Sequence, residues 1–165
     1  MVTPAFAGAG ARAEAVWAAL PEVPVISVVE LGIVRDVAID GDAVTVTITP
    51  TYSGCPAMRE IERDIVTALE ARGFARVAVR TTYTPAWTTA WIDAEAREKL
   101  RAYGIAPPGP VEGPDIIPLR RRRVVPCPYC GSDRTTLRSE FGSTACKAIH
   151  FCDACRQPFE EFKAI

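Results

Sequence analysis

Four cysteines near the end of the chain form two C-x-x-C pairs, Cys127 with Cys130 and Cys152 with Cys155. Two residues between the thiols let one tight turn direct both sulfurs at a single ion, and two such turns complete the tetrahedral four-sulfur set that zinc favours. The spacing therefore predicts a metal site. We expect zinc in a structural role, because a closed four-cysteine site keeps no open position for substrate; an iron–sulfur cluster and a dithiol redox pair are the alternatives.

Two further residues that can bind metals, Cys146 and His150, precede the second cysteine pair. A free cysteine is often simply a small buried residue. We therefore expect Cys146 to be packed in the interior and His150 to lie at the surface. The alternative is that either residue supplies an extra ligand, or that Cys146 transfers metal.

The sixth cysteine, Cys55, lies in a Ser-Gly-Cys-Pro loop just before a predicted helix, with Pro56 expected in the first helical turn. Unpaired N–H groups and the helix dipole favour a thiolate there, and an exposed thiolate is a nucleophile or a metal ligand. A cysteine that is only packed is the alternative. Because His150 is the one histidine of the chain, a Cys–His hydrolase site has no local base within this domain.

The chain before these cysteine pairs alternates strand-like and helix-like patterns, so we predict a small α+β fold with three or four strands and packed helices. The Asp40-Gly41-Asp42 turn joins the two clearest strands as a hairpin. In the last helix we expect Asp93 as N-cap, with Leu100 and Tyr103 facing inward. The predicted helices are 12–20, 57–72 and 93–103, and the predicted strands are 25–29, 33–39, 44–49 and 77–82.

Composition divides the chain into three parts. Residues 1–105 form the α+β domain, and residues 106–123 form a linker rich in proline, glycine and arginine. Residues 124–165 form a zinc-ribbon-like module with extended segments near 135–141, 148–151 and 158–162. Because so short a module buries little apolar surface, we expect metal binding to supply much of its stability.

The bulk composition favours a cytoplasmic globular protein. Of its 165 residues, 48% are hydrophobic and 24% charged, and the net charge is −1. No apolar run is long enough to span a membrane, and this charge does not favour nucleic acid, so we read the arginine run at 120–123 as a solvated or partner-docking segment. Six cysteines without an export signal indicate a reducing compartment.

Several segments resemble the metal–sulfur cluster assembly domain family, which includes SufT and the eukaryotic cytosolic iron–sulfur targeting factors. The match rests on residues 21–24 (PEVP), 29–37 (VELGIVRDV), 49–56 (TPTYSGCP), 84–89 (TPAWTT) and 104–108 (GIAPP). Joined to the four-cysteine module, the whole chain resembles the D-subunit family of bacterial phenylacetyl-CoA epoxidases. One departure is Leu20, which stands where that family commonly has an aspartate.

The resemblance implies an accessory protein without catalytic residues of its own. It would help to mature or repair a metal centre, either an iron–sulfur cluster or a di-iron centre, in the oxygenase and reductase components of the epoxidase. Cys55 corresponds to the family's loop cysteine and would act as a transient thiolate ligand. The alternative is a zinc-stabilised scaffold that handles no metal; a homodimer is compatible with either role.

Overall fold

The computed structural model describes residues 11–20, 22–23, 25–111 and 123–165. The chain forms two compact units, Met1–Trp87 and Thr88–Ile165. The composition predicts the first domain boundary after residue 105, whereas the compact units divide between Trp87 and Thr88. Residues 88–105 therefore belong with the cysteine-rich part of the chain.

Within its described residues, the first unit contains two helices and five strands. In chain order they are α1 (Ala11–Trp17), β1 (Glu22–Val23), β2 (Ile26–Ser27), β3 (Val34–Asp40), β4 (Ala43–Ile48), α2 (Met58–Glu70) and β5 (Arg76–Thr81). β1 and β2 form a two-stranded sheet, and the other three strands form a sheet in the order β3-β4-β5. β3 pairs antiparallel with β4 through the predicted hairpin, while β5 returns parallel to β4 after α2.

The sheet β3-β4-β5 is apolar on one face. Val44, Val46 and Ile48 of β4 are at most 1% exposed, as expected for a strand in which valine or isoleucine alternates with outward threonine. Ile65 and Leu69 of α2 are fully buried, and α2 packs against β5. The buried face of α2 therefore follows the three- to four-residue spacing of its apolar residues.

A bulge sets which residues of β3 face outward. Val34 pairs with Ile48, but the next pair along the strands is Asp36 with Thr47, so Arg35 is the extra residue. Val34 is consequently buried, whereas Asp36 shares the exposed face with Thr47. The predicted boundary at residue 33 missed this irregularity.

The strand predicted over 25–29 is shorter in the structure. Only Ile26 and Ser27 are extended and paired, since the chain then turns: the Leu31 N–H donates to the Ser27 carbonyl at 2.9 Å. The Ser27 N–H donates to the Glu30 carboxylate at 2.8 Å, and the Glu30 N–H donates to the Ser27 hydroxyl at 3.1 Å. These reciprocal bonds end the strand.

In residues 88–111 and 123–165, the described part of the second unit, there are one α-helix and four strands. They are α3 (Ala94–Ala102), β6 (Ile105–Ala106), β7 (Thr135–Ser139), β8 (Lys147–Cys152) and β9 (Pro158–Phe162), preceded by a single 3-10 turn, Thr89–Trp91. The strand order is β6-β9-β8-β7. β7, β8 and β9 confirm the predicted extended segments of the ribbon.

Strand β6 overlaps the first residue of the predicted linker. Ile105 and Ala106 are buried and pair in parallel with Glu160 and Glu161 of β9. The prolines that follow carry no N–H group, so the pairing stops there; a two-residue edge strand needs few donors. The interpretation of 106–123 as linker therefore does not hold for Ala106, and residues 112–122 lie outside the described part of the chain.

Hydrogen bonds explain why residues 88–108 belong to the second unit. The Thr89 N–H donates to the Ile165 carbonyl at 3.0 Å, and the Thr88 hydroxyl donates to the same oxygen at 2.7 Å. The half-buried Arg97 guanidinium donates to three backbone carbonyls, those of Thr89, Ile92 and Pro108. The turn, α3 and the residues after β6 are thereby held together.

Helix α3 confirms one prediction and contradicts another. Asp93 is the N-cap and accepts from the Ala96 N–H at 2.8 Å. Tyr103, however, is 64% exposed, whereas Leu100 is 3% exposed. The prediction that Tyr103 faces inward is wrong because the helix ends at Ala102, which leaves Tyr103 beyond its buried face.

These two residues give a matched test of the packing of α3. We expect Leu100→Ala to lower the free energy of unfolding of the metal-loaded protein by about 2–5 kcal/mol, because it opens a cavity in the core. Tyr103→Ala should change it by less than about 0.5 kcal/mol. Urea titration followed by far-UV circular dichroism measures both, and equal losses would contradict the assignment.

Candidate metal centre

The four paired cysteines lie on two knuckles with the same backbone pattern. The Cys127 N–H donates to the Ser132 carbonyl at 3.0 Å, and the Gly131 N–H donates to the Cys127 carbonyl at 2.9 Å. In the second knuckle, the Cys152 N–H donates to Gln157 and the Arg156 N–H donates to Cys152, both at 2.9 Å. Each C-x-x-C pair thus sits in a turn closed by two equivalent hydrogen bonds.

Both knuckles need a left-handed residue after the second cysteine. Gly131 has φ 71° and Arg156 has φ 63°. Glycine suits this position in the first knuckle, since it adopts positive φ without steric cost. Arg156 is the one positive-φ residue other than glycine in the described chain, and nothing in its side chain announces that conformation.

The knuckles bring the four sulfurs together. The Sγ atoms of Cys127 and Cys155 are 3.7 Å apart, those of Cys130 and Cys152 are 3.6 Å apart, and all four lie within 4.8 Å of one another. At a Zn–S distance of about 2.3 Å, the edge of a regular sulfur tetrahedron is about 3.8 Å. The spacing therefore fits a single tetrahedral ion.

A small apolar core supports these sulfurs. Cys127 and Cys152 are 2% and 0% exposed and pack with Ala106, Val125 and Phe159. Cys130 is exposed. Ala106 contributes to this core because β6 pairs with β9, a contact that the linker interpretation missed.

The environment perturbs three of the thiols in different directions. Burial raises the pKa of Cys127, and burial, with the neighbouring thiols, raises the pKa of Cys155 to about 12. The backbone N–H of Cys155 lowers the pKa of Cys152 to about 7. Four thiolates held this closely repel one another, so a bound cation is what permits all of them to be ionised.

His150 is close to this site along the chain but is used differently. It is 5% exposed, so the expectation of a surface residue is wrong. Its Nε2 lies 2.9 Å from a Glu161 carboxylate oxygen, and its ring stacks on Phe159 with the centroids 5.4 Å apart. Within the described residues, the cluster of metal-binding atoms contains the four cysteines and not His150.

Glu161 links His150 to the arginine run. Arg123 forms a salt bridge with the other Glu161 carboxylate oxygen. Burial opposes ionisation of Glu161, but the bond from His150 and the charge of Arg123 outweigh it and hold the pKa of Glu161 below its usual value. Arg120, Arg121 and Arg122 lie outside the described residues.

Cys146 belongs to the opposite end of the ribbon. It precedes β8, whose last residue is Cys152, and six extended residues span about 20 Å. Its half-buried Sγ lies 3.0 Å from the Thr144 hydroxyl. At that separation Cys146 cannot share an ion with the four cysteines.

Cys55 lies in the first unit, in the loop between β4 and α2, and is half-buried. Its N–H donates to the Tyr52 carbonyl at 3.2 Å, and its own carbonyl accepts from the Met58 N–H at 3.3 Å. Helix α2 begins at Met58 with Ala57 as N-cap. The expectation of Pro56 in the first helical turn is therefore wrong by two residues.

The first residue of this loop, Thr49, carries a buried hydroxyl group. Thr49 is 1% exposed, and its Oγ1 has no hydrogen-bond partner in the described part of the chain.

Leu20, at the position of the expected family aspartate, is 6% exposed and packs in the apolar interior. No helix of the described ranges is both long and apolar enough to cross a bilayer.

Two family models match the chain, one in each unit. The model described as "Iron-sulfur cluster assembly protein" matches residues 13–81, and the one described as "PaaD zinc beta ribbon domain" matches residues 112–163. The second match covers the knuckles, so the chain carries a zinc-ribbon domain with a four-cysteine metal-binding site.

Two curated relatives agree with these matches. An Escherichia coli (strain K12) protein, provisionally named as the D subunit of 1,2-phenylacetyl-CoA epoxidase, is 46% identical over 155 residues, which cover 91% of this chain and 92% of that protein. The Fe-S protein maturation auxiliary factor of Porphyromonas gingivalis is 35% identical over 48% of this chain and 77% of its own length. A solved conserved hypothetical protein from Thermotoga maritima is 34% identical, with a TM-score of 0.45, over 53% of this chain and 91% of its own.

Two cysteines of the ribbon provide a matched test of the site. We expect Cys152→Ala to abolish stoichiometric metal binding and to unfold the second unit, because it removes a ligand from the buried core. Cys146→Ala should keep one ion per chain. Elemental analysis and amide NMR dispersion of the purified variants measure both effects, and metal loss in Cys146→Ala would contradict the assignment.

Metal binding should also depend on pH. Cys127 and Cys155, with their raised pKa values, are protonated at pH 7 without metal, so binding an ion must expel about two protons or more. Affinity therefore falls as the pH falls. Calorimetric titration with zinc in buffers of different ionisation enthalpy counts these protons; release of none would refute this account.

Proposed function

Because this chain belongs to the family of 1,2-phenylacetyl-CoA epoxidase D subunits, we propose that it matures or repairs the metal centre of that oxygenase system. The observation that carries the proposal is the match over 91% of the chain, which joins an iron–sulfur assembly domain to a four-cysteine ribbon. The accessory role follows from this family. The delivery of metal by Cys55 is our inference.

The thiol of Cys55 is the reactive group of the proposal. It stands in a half-buried loop directly before α2, where ligands can reach it from solvent. A thiolate there would replace one ligand on incoming iron or on a cluster, and a ligand of the recipient protein would then replace the thiolate. This exchange moves the metal without a change in oxidation state and needs no second catalytic residue.

The ribbon supports this role without taking part in transfer. Its sulfur separations of 3.6 and 3.7 Å suit one tetrahedral ion, whereas a cluster places several iron atoms between its ligands and spreads them further. We infer zinc, which prefers four thiolates in a closed site. The zinc would hold the knuckles together and present the ribbon as a docking surface.

The recipients we propose are the reductase component, with an iron–sulfur cluster, and the oxygenase component, with a di-iron centre. The relative named as part of this epoxidase supports partners within the same system. All six cysteines are free thiols, which suits the reducing cytoplasm as the compartment.

A second candidate is a scaffold that binds the oxygenase components without handling metal. The closed geometry of the four-cysteine site favours it, since such a site has no position for cargo. The two candidates differ in what they require of Cys55: transfer needs its thiol, and a scaffold does not.

In cells that lack the wild-type chain, we expect Cys55→Ser to leave the oxygenase and reductase expressed but as poorly loaded as in the deletion strain. Iron and acid-labile sulfide in each purified component, together with epoxidase activity, provide the measurement. The readout separates the recipients, because sulfide reports on the reductase cluster and iron alone on the di-iron centre.

The neighbouring Ser53→Ala is the control, since Ser53 is exposed in the same loop. It should restore full loading. If Cys55→Ser restores loading equally well while Cys152→Ala does not, the scaffold candidate replaces metal transfer.

A further inference from the structure

The face of the sheet β3-β4-β5 opposite its apolar side is open. Cross-strand pairing arranges its residues in three rows across β3, β4 and β5, namely Asp36–Thr47–Arg80, Ala38–Thr45–Ala78 and Asp40–Ala43–Arg76. The residues on the two edge strands are exposed, and those on β4 are half-buried. The bulge at Arg35 is what places Asp36 in this set.

Charge is segregated across this face. β3 presents Asp36 and Asp40, and β5 presents Arg76 and Arg80. None of these four side chains forms an ion pair within the described ranges, because two strand spacings, about 9.6 Å, separate the columns. The acidic column is thus exposed beside a basic column of the same length, since each spans five residues, about 13 Å from the first Cα to the last.

Small side chains form the surface between the acidic and the basic column. Ala38, Ala43 and Ala78 carry only methyl groups, and Thr45 and Thr47 carry short side chains whose hydroxyls make no hydrogen bond in the part of the chain that is described. A second sheet can therefore approach closely, at or below the usual face-to-face distance of about 10 Å. A charged partner surface of opposite pattern would fit this face.

We propose that this face binds the same face of a second copy of the chain. A two-fold axis parallel to the strands and passing over Thr45 lays β3 of each copy over β5 of the other. Asp36 then faces the partner's Arg80, and Asp40 faces the partner's Arg76. The operation repeats both contacts, so four ion pairs form around a centre of small side chains.

The charge pattern selects this axis against the other one available. A two-fold axis across the strands would lay β3 over β3 and oppose aspartate to aspartate and arginine to arginine. Aligned sheets cross at about 30°, which moves the corners of the face by about 4 Å. The long arginine side chains cover that displacement, so all four pairs survive the twist.

The size of the face sets the strength of the dimer. Three strands by five residues measure about 15 by 17 Å, well below the roughly 800 Å² per partner of a stable complex. The dimer is therefore weak, with a Kd of about 0.1–1 mM at low salt. Salt should weaken it further, because its ion pairs lie near the surface.

Amide NMR over a dilution series, from about 1 mM to 20 µM at low salt, tests the proposal on the full zinc-loaded chain. We expect concentration-dependent shifts centred on Ala38, Thr45 and Ala78, and their loss at high salt. Sedimentation at the same concentrations should give a weight-average mass that rises above 17.9 kDa, the mass of one chain.

Charge reversal gives the decisive comparison. Asp36→Arg with Asp40→Arg, and separately Arg76→Glu with Arg80→Glu, should each abolish self-association, because every pair becomes repulsive. Mixing the two variants should restore it as a heterodimer, and the chain with all four substitutions should associate with itself again. A different binding partner predicts neither recovery.

Asp64→Arg with Glu70→Arg is the matched control, since it changes the net charge as the acidic-column variant does but alters exposed residues of α2. It should leave association intact. Absence of concentration dependence in the wild-type chain, association indifferent to the reversals, or no recovery on mixing would each overturn the proposal. Shifts confined to the backbone of one edge strand would indicate edge-to-edge pairing and overturn it as well.

Discussion

The second unit depends on the mutual repulsion of four sulfurs that its backbone holds within 4.8 Å. The buried thiol of Cys127 and the half-buried thiol of Cys155 have raised pKa values, so the cluster is stable only with protons or with a cation. The metal therefore acts as the centre of a core that contains few apolar side chains, chiefly Ala106, Val125 and Phe159. The chain around it needs little more than two closed turns and three short strands.

The first unit has the reverse design, because it relies on ordinary apolar burial between α2 and the sheet. Its proposed metal-exchange residue, Cys55, lies in one loop, which also carries the Thr49 hydroxyl, unpartnered among the described residues. Under the proposed function, the first unit would exchange metal through Cys55, and the ribbon would position the protein on its partner. That division is compatible with the accessory role that the epoxidase family supports.

Regular patterns made much of this structure predictable. The alternation in β4, the three- to four-residue spacing in α2, the cap at Asp93 and the two C-x-x-C pairs each follow from local chemistry. The features that could not be predicted from the sequence depend on contacts with residues far away in the chain. Ile105 and Ala106 become a strand only because β9 accepts them, and buried His150 has its polar partner in Glu161, which also pairs with Arg123. Arg156 adopts a left-handed conformation because the second knuckle requires it there, although its residue type does not favour it.

The short strand β6 affects whether the ribbon sheet has an exposed edge to which other chains can add a strand. β9 lies between β8 and β6, so without β6 its outer backbone groups would form an exposed strand edge. Such an edge can recruit strands from other chains and seed aggregation. Two residues from a segment about 55 positions earlier in the chain occupy it instead. β6 therefore covers the edge of the ribbon sheet. Because Ala106 of β6 packs with two of the metal-site cysteines, loss of the ion should also weaken this pairing and expose the edge of β9.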